Sequence, residues 1–241
     1  MIKGLLFDYG GTIDTNGLHW AVVLKAAYQK FNIQVPNALF SKAYSYGERN
    51  LAINPLVKPS HNFYEVLCLK IKEQFDFLRD NGFHIDSSHI ELIANHCNQF
   101  AKETVANAKP ILEHLSADYP LIMVSNFYGN LNAVLEDFGI RNLFLDVIES
   151  AVVGVRKPSS KIYQLGIDRL ELLPSECLVI GDSFIKDILP AKEIGCRTIW
   201  LRRQGWEDDL LEKSYDGVSD IEITDFKDIK KSISSVISLI S

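Results

Sequence analysis

Short apolar runs, each followed by a polar turn and then by a helical pattern, recur along the chain. The three strongest occupy residues 4–8, 120–126 and 176–183. Two further runs, at 196–201 and 216–223, predict a fourth strand and a weak edge strand. The segment from Asp225 to Ser241 predicts an amphipathic helix that closes the fold. Strands that alternate with helices predict a parallel sheet covered on both faces, and therefore an α/β fold.

The segment between the first two apolar runs follows a different pattern. From residue 16 to residue 107 helical periodicity dominates, and it is interrupted only by prolines and a glycine. We interpret these residues as an all-helical domain inserted into an α/β core, which then comprises residues 1–15 and 108–241. Because the insertion leaves the core directly after the first strand, we expect it to cover the carboxyl ends of the strands, where open α/β sheets bind ligands.

Composition narrows the classes of function. The chain has 241 residues, and 47% of them are apolar, which is enough for a substantial buried core. The net charge of −6 is spread along the chain with no Lys/Arg-rich block, so we expect neither nucleic acid nor a membrane as a partner. The apolar runs are too short for a membrane helix or a signal peptide. The four cysteines stand far apart, and we interpret them as buried thiols of a cytoplasmic protein.

Polar side chains stand where each of the three strongest strands ends. Asp8 ends the first run, Ser125 and Asn126 end the second, and Asp182 ends the third, with Asp187 five residues later. Because the carboxyl ends of parallel strands lie along one edge of a sheet, we expect these groups to share one site.

A basic pair adds positive charge to this predicted site. Arg156 and Lys157 open the helical pattern at residues 156–167. Carboxylate oxygens bind Mg²⁺ while leaving positions for water and for substrate oxygens. Lys157, together with main-chain N–H groups, can hold the remaining charge of a phosphate group. The set of residues therefore indicates phosphate chemistry at a magnesium site.

These residues resemble the four motifs of the haloacid dehalogenase-like (HAD) hydrolases, in the branch with a helical cap inserted after the first motif. The first motif resembles residues 8–12, the second Ser125, the third Lys157 and the fourth residues 181–187. The resemblance runs over nearly the whole chain. It implies a HAD-like Rossmannoid core with a parallel sheet, an inserted all-helical cap domain, and Mg²⁺-dependent hydrolysis of a small phosphorylated metabolite.

The resemblance also implies a catalytic role for four residues. Asp8 is expected to attack phosphorus and form an aspartyl-phosphate, which water then hydrolyses. Ser125 is expected to hydrogen-bond the phosphoryl oxygens, and Lys157 to neutralise the charge shared with Asp8. Asp187 is expected to act through water or through Lys157.

The chain departs from the family pattern at Gly10. Phosphatases of the family usually carry an aspartate there, two residues after the nucleophile, as general acid and base. That position contributes a main-chain carbonyl to the metal, so the expected Mg²⁺ ligands are Asp8, Asp182 and the carbonyl oxygen of Gly10. What is lost is proton transfer, which is worth about 10² to 10⁴ in rate. His19 and Asp14 are the candidates to replace it.

Three functions follow from this departure. A phosphohydrolase with a proton relay from elsewhere is favoured. Cleavage of carbon–phosphorus bonds is less favoured, because that branch of the family needs a lysine in the cap and the aligned residue here is Arg49. Cleavage of carbon–halogen bonds is less favoured, because that branch does not need Mg²⁺, whereas the complete fourth motif indicates a bound metal. The third function is a catalytically weak regulatory protein that binds phosphate and metal.

Substrate contacts from the cap are expected at residues 47–50. Arg49 either pairs with a distal carboxylate or phosphate of the substrate or is a solvated surface side chain. Trp20, Tyr44 and Tyr46 either line the entrance or form the core of the cap. We expect the protein to act as a monomer or a homodimer. The predicted substrate-binding residues are Gly11, Thr12, His19, Arg49 and Asn126.

Overall fold

A parallel sheet forms the centre of the computed structural model, which describes residues 1–203, 206 and 215–238. Within these residues the sheet has six strands in the order β3-β2-β1-β4-β5-β6, and every neighbouring pair is parallel. The predicted parallel sheet is confirmed. The strands are β1 (Gly4–Phe7), β2 (Leu121–Ser125), β3 (Asp146–Glu149), β4 (Cys177–Gly181), β5 (Arg197–Leu201) and β6 (Ile221–Ile223).

The central strands are apolar throughout because both of their faces are covered. In β1, Leu5 and Phe7 belong to one core cluster, whereas Leu6 between them belongs to another. This alternation follows from the two-residue period of a strand. Each fully buried leucine or phenylalanine stabilises the fold by about 1.5–3 kcal/mol. Burial on both faces therefore holds β1, and the polar residues that follow it, at the middle of the sheet.

Four long helices form the cap segment: α1 (Trp20–Lys30), α2 (Asn37–Ile53), α3 (Phe63–Asp80) and α4 (His89–Asp118). Helix α3 begins at a capping box, in which Asn62 and Glu65 each bind the other's main-chain N–H. Helix α4 continues through residues 107–108 without a break. The predicted boundary between cap and core therefore falls inside one helix, and the division into domains stays a prediction.

The remaining helices lie in the second half of the chain. None of the described helices is long and apolar enough to cross a lipid bilayer. A π-helical turn at Phe184–Ile188 directly precedes the helix that begins at Leu189. They are α5 (Leu131–Asp137), α6 (Ser150–Val153), α7 (Lys161–Leu170), α8 (Leu189–Glu193) and α9 (Ile229–Ser238).

Several predicted elements differ from the observed ones. Helix α7 begins at Lys161, so the basic pair at residues 156–157 lies in the loop before it rather than in its first turn. The edge strand is shorter than predicted, and the final helix begins only at Ile229, while residues 239–241 lie outside the described part. Cys68 is half-buried, unlike the other three thiols, because α3 turns one flank to solvent.

Candidate active site

A cavity of about 880 Å³ lies between the carboxyl ends of the strands and the cap helices. Asp8 follows β1, Ser125 ends β2 and Asp182 follows β4, and all three line this cavity. Their convergence follows from the parallel sheet, because β1 lies between β2 and β4. The structure therefore brings the predicted strand-end residues together in one place.

A buried lysine joins two of the carboxylates. The ammonium of Lys157 lies 2.5 Å from Oδ1 of Asp8 and 2.7 Å from Oδ1 of Asp187. Asp187 also accepts hydrogen bonds from the Tyr163 hydroxyl at 2.7 Å and from the Ser183 main-chain N–H at 3.0 Å. Burial lowers the pKa of Lys157, but the charges of Asp187 and Asp8 outweigh this and raise it. Lys157 is therefore held as a cation beside the proposed nucleophile.

Negative charge is concentrated around Asp8. Burial and the nearby Asp187 raise the pKa of Asp8 to about 6, although Lys157 opposes them. Burial, Asp8 and Asp187 together raise the pKa of Asp182. The Thr12 hydroxyl lies 2.9 Å from Oδ2 of Asp8 and 3.1 Å from Oδ1 of Asp182, and its single proton serves one of them at a time. Among the described ion pairs, Lys157 compensates the charges of Asp8 and Asp187, whereas Asp182 has no ion-pair partner.

The donor set fits a divalent cation with oxygen ligands. Carboxylate oxygens of Asp8, Asp182 and Asp187 lie within 4.8 Å of one another. The third carboxylate, Asp187, accepts hydrogen bonds from Lys157, Tyr163 and Ser183, and Asp8 and Asp182 are the ligands expected from the sequence. The carbonyl of Gly10 accepts no hydrogen bond within the described residues, so it is available as a third donor. Mg²⁺ prefers hard oxygen ligands, and a bound Mg²⁺ would offset the repulsion between the carboxylate charges.

Two adjacent glycines shape the loop after Asp8 in different ways. Gly11 has φ +98°, and a Cβ there would collide with the carboxylate of Asp182. Gly10 lies outside the left-handed region, and a Cβ there would meet nothing within 4 Å. The N–H groups of Tyr9 and Gly10 donate no hydrogen bond within the described residues. Only Gly11 is required sterically, and the free N–H groups beside Asp8 can receive an anion.

Comparison with known proteins identifies the family. The model of the haloacid dehalogenase-like hydrolases matches residues 2–195. This chain belongs to that family. The glyceraldehyde 3-phosphate phosphatase of Methanopyrus kandleri is 38% identical over 85 residues, which are 35% of this chain and 36% of that protein. The chain spans less than half the length of the first curated relatives that it matches.

Solved HAD structures share the fold. The putative HAD-hydrolase YfnB from Bacillus subtilis, bound to magnesium, is 18% identical with a TM-score of 0.57 and coverage of 97% of this chain and 99% of that one. The L-2-haloacid dehalogenase from Xanthobacter autotrophicus is also 18% identical, with a TM-score of 0.59 and the same coverage. The predicted HAD-like α/β fold with a helical cap is confirmed.

The side chain of Asn126 in this HAD hydrolase points to the main chain of another site residue. Its amide accepts from the N–H of Lys157 at 2.9 Å and donates to the carbonyl of Lys157 at 3.1 Å. The amide therefore positions Lys157, and the predicted contact of Asn126 with substrate stays a prediction. The hydroxyl of Ser125 makes no hydrogen bond within the described residues, so it is available to a ligand in the cavity.

The two candidates for a replacement acid differ in their surroundings. Asp14 is fully buried, and its two oxygens accept from the Gly11 N–H at 2.7 Å and from the Trp20 indole at 2.9 Å. Burial raises the pKa of Asp14 to about 7. His19 caps α1 through Nδ1, which accepts from the Ala21 N–H at 3.2 Å, and it lines the cavity. Both residues line the cavity, but the two oxygens of Asp14 are held by the loop and by α1.

The aromatic residues and the arginine of the cap take separate positions. Trp20 is buried, and its ring lies 5.3 Å from that of Phe63. Tyr44 lines the cavity, whereas Tyr46 is exposed and packs against Phe77. Arg49 lines the cavity and is exposed. Trp20 also lines the cavity, and both Trp20 and Tyr44 pack in the hydrophobic core, so these two aromatic residues belong to the cavity wall and to the core.

A charged pair on the cap side of the cavity was not predicted from the sequence. Lys70 on α3 lies 2.6 Å from Glu48 on α2, and Glu48 also accepts from the Tyr128 hydroxyl at 2.6 Å. All three line the cavity. One signal was present, because Lys70 follows Leu67 by three residues and so occupies a core-facing position in the apolar period of α3.

Proposed function

We propose that this HAD hydrolase is a Mg²⁺-dependent phosphohydrolase that acts on a small phosphorylated metabolite through an aspartyl-phosphate. The observation that carries the proposal is the buried chain of Asp8, Lys157 and Asp187 beside Asp182 at the carboxyl ends of the strands. Several curated relatives are named as phosphatases, which supports the same reaction.

The reaction follows from the groups around Asp8. A carboxylate oxygen of Asp8 forms a bond to phosphorus while the bond between phosphorus and the leaving oxygen breaks. Lys157 and the Ser125 hydroxyl, with the free N–H groups of Tyr9 and Gly10, hold the charge of the phosphoryl oxygens. A bound Mg²⁺ would add charge neutralisation at the same oxygens. Water then attacks phosphorus, the bond to Asp8 breaks, and the carboxylate and inorganic phosphate are released.

The proton for the leaving group comes from outside the usual position, because Gly10 has no side chain. We assign it to His19 in preference to Asp14, since both oxygens of Asp14 are already hydrogen-bonded. His19 lines the cavity, and an imidazole is the side chain that most often serves as a general acid. The second candidate function, binding of phosphate and metal with little turnover, is favoured by the same glycine.

A hydrolysis screen over phosphorylated metabolites tests the proposal. Phosphate release is measured with Mg²⁺ and with a chelator, for the wild type, for Asp8→Asn and for Asp80→Asn. Asp80 is an exposed carboxylate at the end of α3 and is the matched control. We expect Mg²⁺-dependent turnover that disappears in Asp8→Asn and persists in Asp80→Asn. Tight binding of inorganic phosphate without turnover of any compound would instead support the second candidate.

A further inference from the structure

Lys70 on α3 and Glu48 on α2 line the cavity on the side formed by the cap helices. The ammonium of Lys70 lies 2.6 Å from Oε1 of Glu48, and the Lys70 side chain is only 8% exposed. Glu48 retains 33% exposure of its side chain and lines the cavity. Tyr128, from the loop after β2, donates its hydroxyl hydrogen bond to the other oxygen of Glu48. The ammonium of Lys70 lies over the Tyr128 ring, 5.4 Å from the ring centre. The pair is therefore held by both the cap and the core.

The hydrogen-bonding capacity of this pair is only partly used. An ammonium has three N–H donors, and among the described residues Glu48 is the ion-pair partner of Lys70. A buried ion pair contributes little net stability compared with apolar side chains of the same volume. Burial opposes both charges, but each partner's charge outweighs it, so the pKa of Lys70 is raised and that of Glu48 is lowered. The cavity thus keeps a fixed donor beside a fixed acceptor.

A donor and an acceptor of opposite charge select the chemistry of what they bind. A second charged group would be attracted by one member of the pair and repelled by the other, so the pair itself favours neither an anion nor a cation. A hydroxyl group both donates and accepts, so it satisfies the two at once. Because this pair shares its cavity with Asp8, a molecule held by its phosphate at Asp8 can extend toward the pair.

We infer that Lys70 and Glu48 form a subsite for hydroxyl groups of the leaving group, so that the substrate is a polyol or sugar monophosphate. The inference rests on the proposed phosphohydrolase function and adds the class of substrate to it. A site built to hydrogen-bond a hydroxyl discriminates strongly against the analogue that lacks it, because its buried polar groups are then left unpaired.

Three compounds of matched length test the subsite. They are glycerol 3-phosphate, n-propyl phosphate, which lacks both hydroxyls, and 3-phosphoglycerate, which carries a carboxylate at the far end. We expect the wild type to favour glycerol 3-phosphate over each of the others by at least about tenfold in kcat/KM. The double variant Glu48→Gln with Lys70→Met removes both charges together, so that neither is left buried alone, and should bring the ratio to glycerol 3-phosphate over n-propyl phosphate close to one.

A matched control separates the subsite from a general effect of charge. Lys72→Met removes an exposed lysine of the same helix, and it should leave the ratio unchanged. Thermal unfolding of both variants shows whether the fold is retained. A wild type that prefers 3-phosphoglycerate, or a double variant that keeps the wild-type ratio, overturns the inference.

A binding measurement keeps the inference testable without turnover. Calorimetric titration of the Asp8→Asn protein with the same three compounds in Mg²⁺ should show the same order of affinity. Equal affinities would overturn the subsite. Hydrolysis of p-nitrophenyl phosphate, which has no alcoholic hydroxyl, reports on the proposed function alone, so failure of the subsite and failure of the phosphohydrolase are distinguished.

Discussion

Replacing Gly10 with aspartate should add a general acid beside Asp8 in this HAD hydrolase. A Cβ at Gly10 would meet nothing within 4 Å, and the residue lies outside the left-handed region, so the backbone accepts a side chain without strain. Gly10 also lines the cavity, which places the new carboxyl beside the substrate. We therefore expect Gly10→Asp to fold as the wild type does.

The size of the effect depends on the leaving group. General acid catalysis contributes about 10² to 10⁴ in rate, and an alkoxide leaving group needs most of it. We expect an increase of about 10² in kcat for an alkyl phosphate, and little change for p-nitrophenyl phosphate, whose leaving group needs no proton.

Steady-state rates of the two compounds, measured for three variants, separate the proton from the side chain. Gly10→Asn has the shape of aspartate without its proton, and Gly10→Ala tests the added Cβ alone. A pre-steady-state burst is expected in the wild type, because the aspartyl-phosphate forms faster than it decays, and should shrink in Gly10→Asp. If Gly10→Asp and Gly10→Asn change both rates equally, or if neither rate changes, the missing acid is not the limitation.

Two further variants test the loop and its link to the cap. Gly11→Ala should weaken Mg²⁺ binding in calorimetric titrations by at least about tenfold, since its Cβ would collide with Asp182, whereas Gly10→Ala should not; equal affinities would refute this. Trp20→Phe removes the indole donor to Asp14, and urea unfolding at about pH 8 should show a loss of about 1.5–3 kcal/mol. Burial raises the pKa of Asp14 to about 7, so the folded state keeps the Asp14 proton to a higher pH than the unfolded state does. At about pH 5 Asp14 is therefore protonated, and Trp20→Phe should lower the free energy of unfolding by less than it does at about pH 8. An equal decrease at both pH values would contradict an ionised Asp14 at about pH 8.

Much of the fold could be predicted because its signals are local. The apolar runs of the central strands are buried on both faces, so they read as strands without any knowledge of their neighbours. Strand β3 was missed because its four residues include two acidic ones and only its last two are buried. The start of α7 was misplaced because Pro158, three residues before it, is a residue that is also favoured in the first turn of a helix.

The sequence by itself determined which residues stand at the strand ends and what chemistry they carry. Asp8, Ser125 and Asp182 each follow an apolar run, and a parallel sheet brings such positions to one edge whatever the cap does. Gly10 was also readable as a missing side chain. These features depend on residue type and on position within one element.

Only the tertiary structure decided how those groups are paired. Asn126 binds the main chain of Lys157, 31 residues away, and Lys70 meets Glu48 because α2 packs on α3. Which oxygen of a carboxylate is occupied, and which amide stays free, depends on distances of a few tenths of an ångström between distant segments. A periodicity in one segment contains no information about the segment that packs against it, and so the pair of Lys70 and Glu48 could be recognised only in the folded chain.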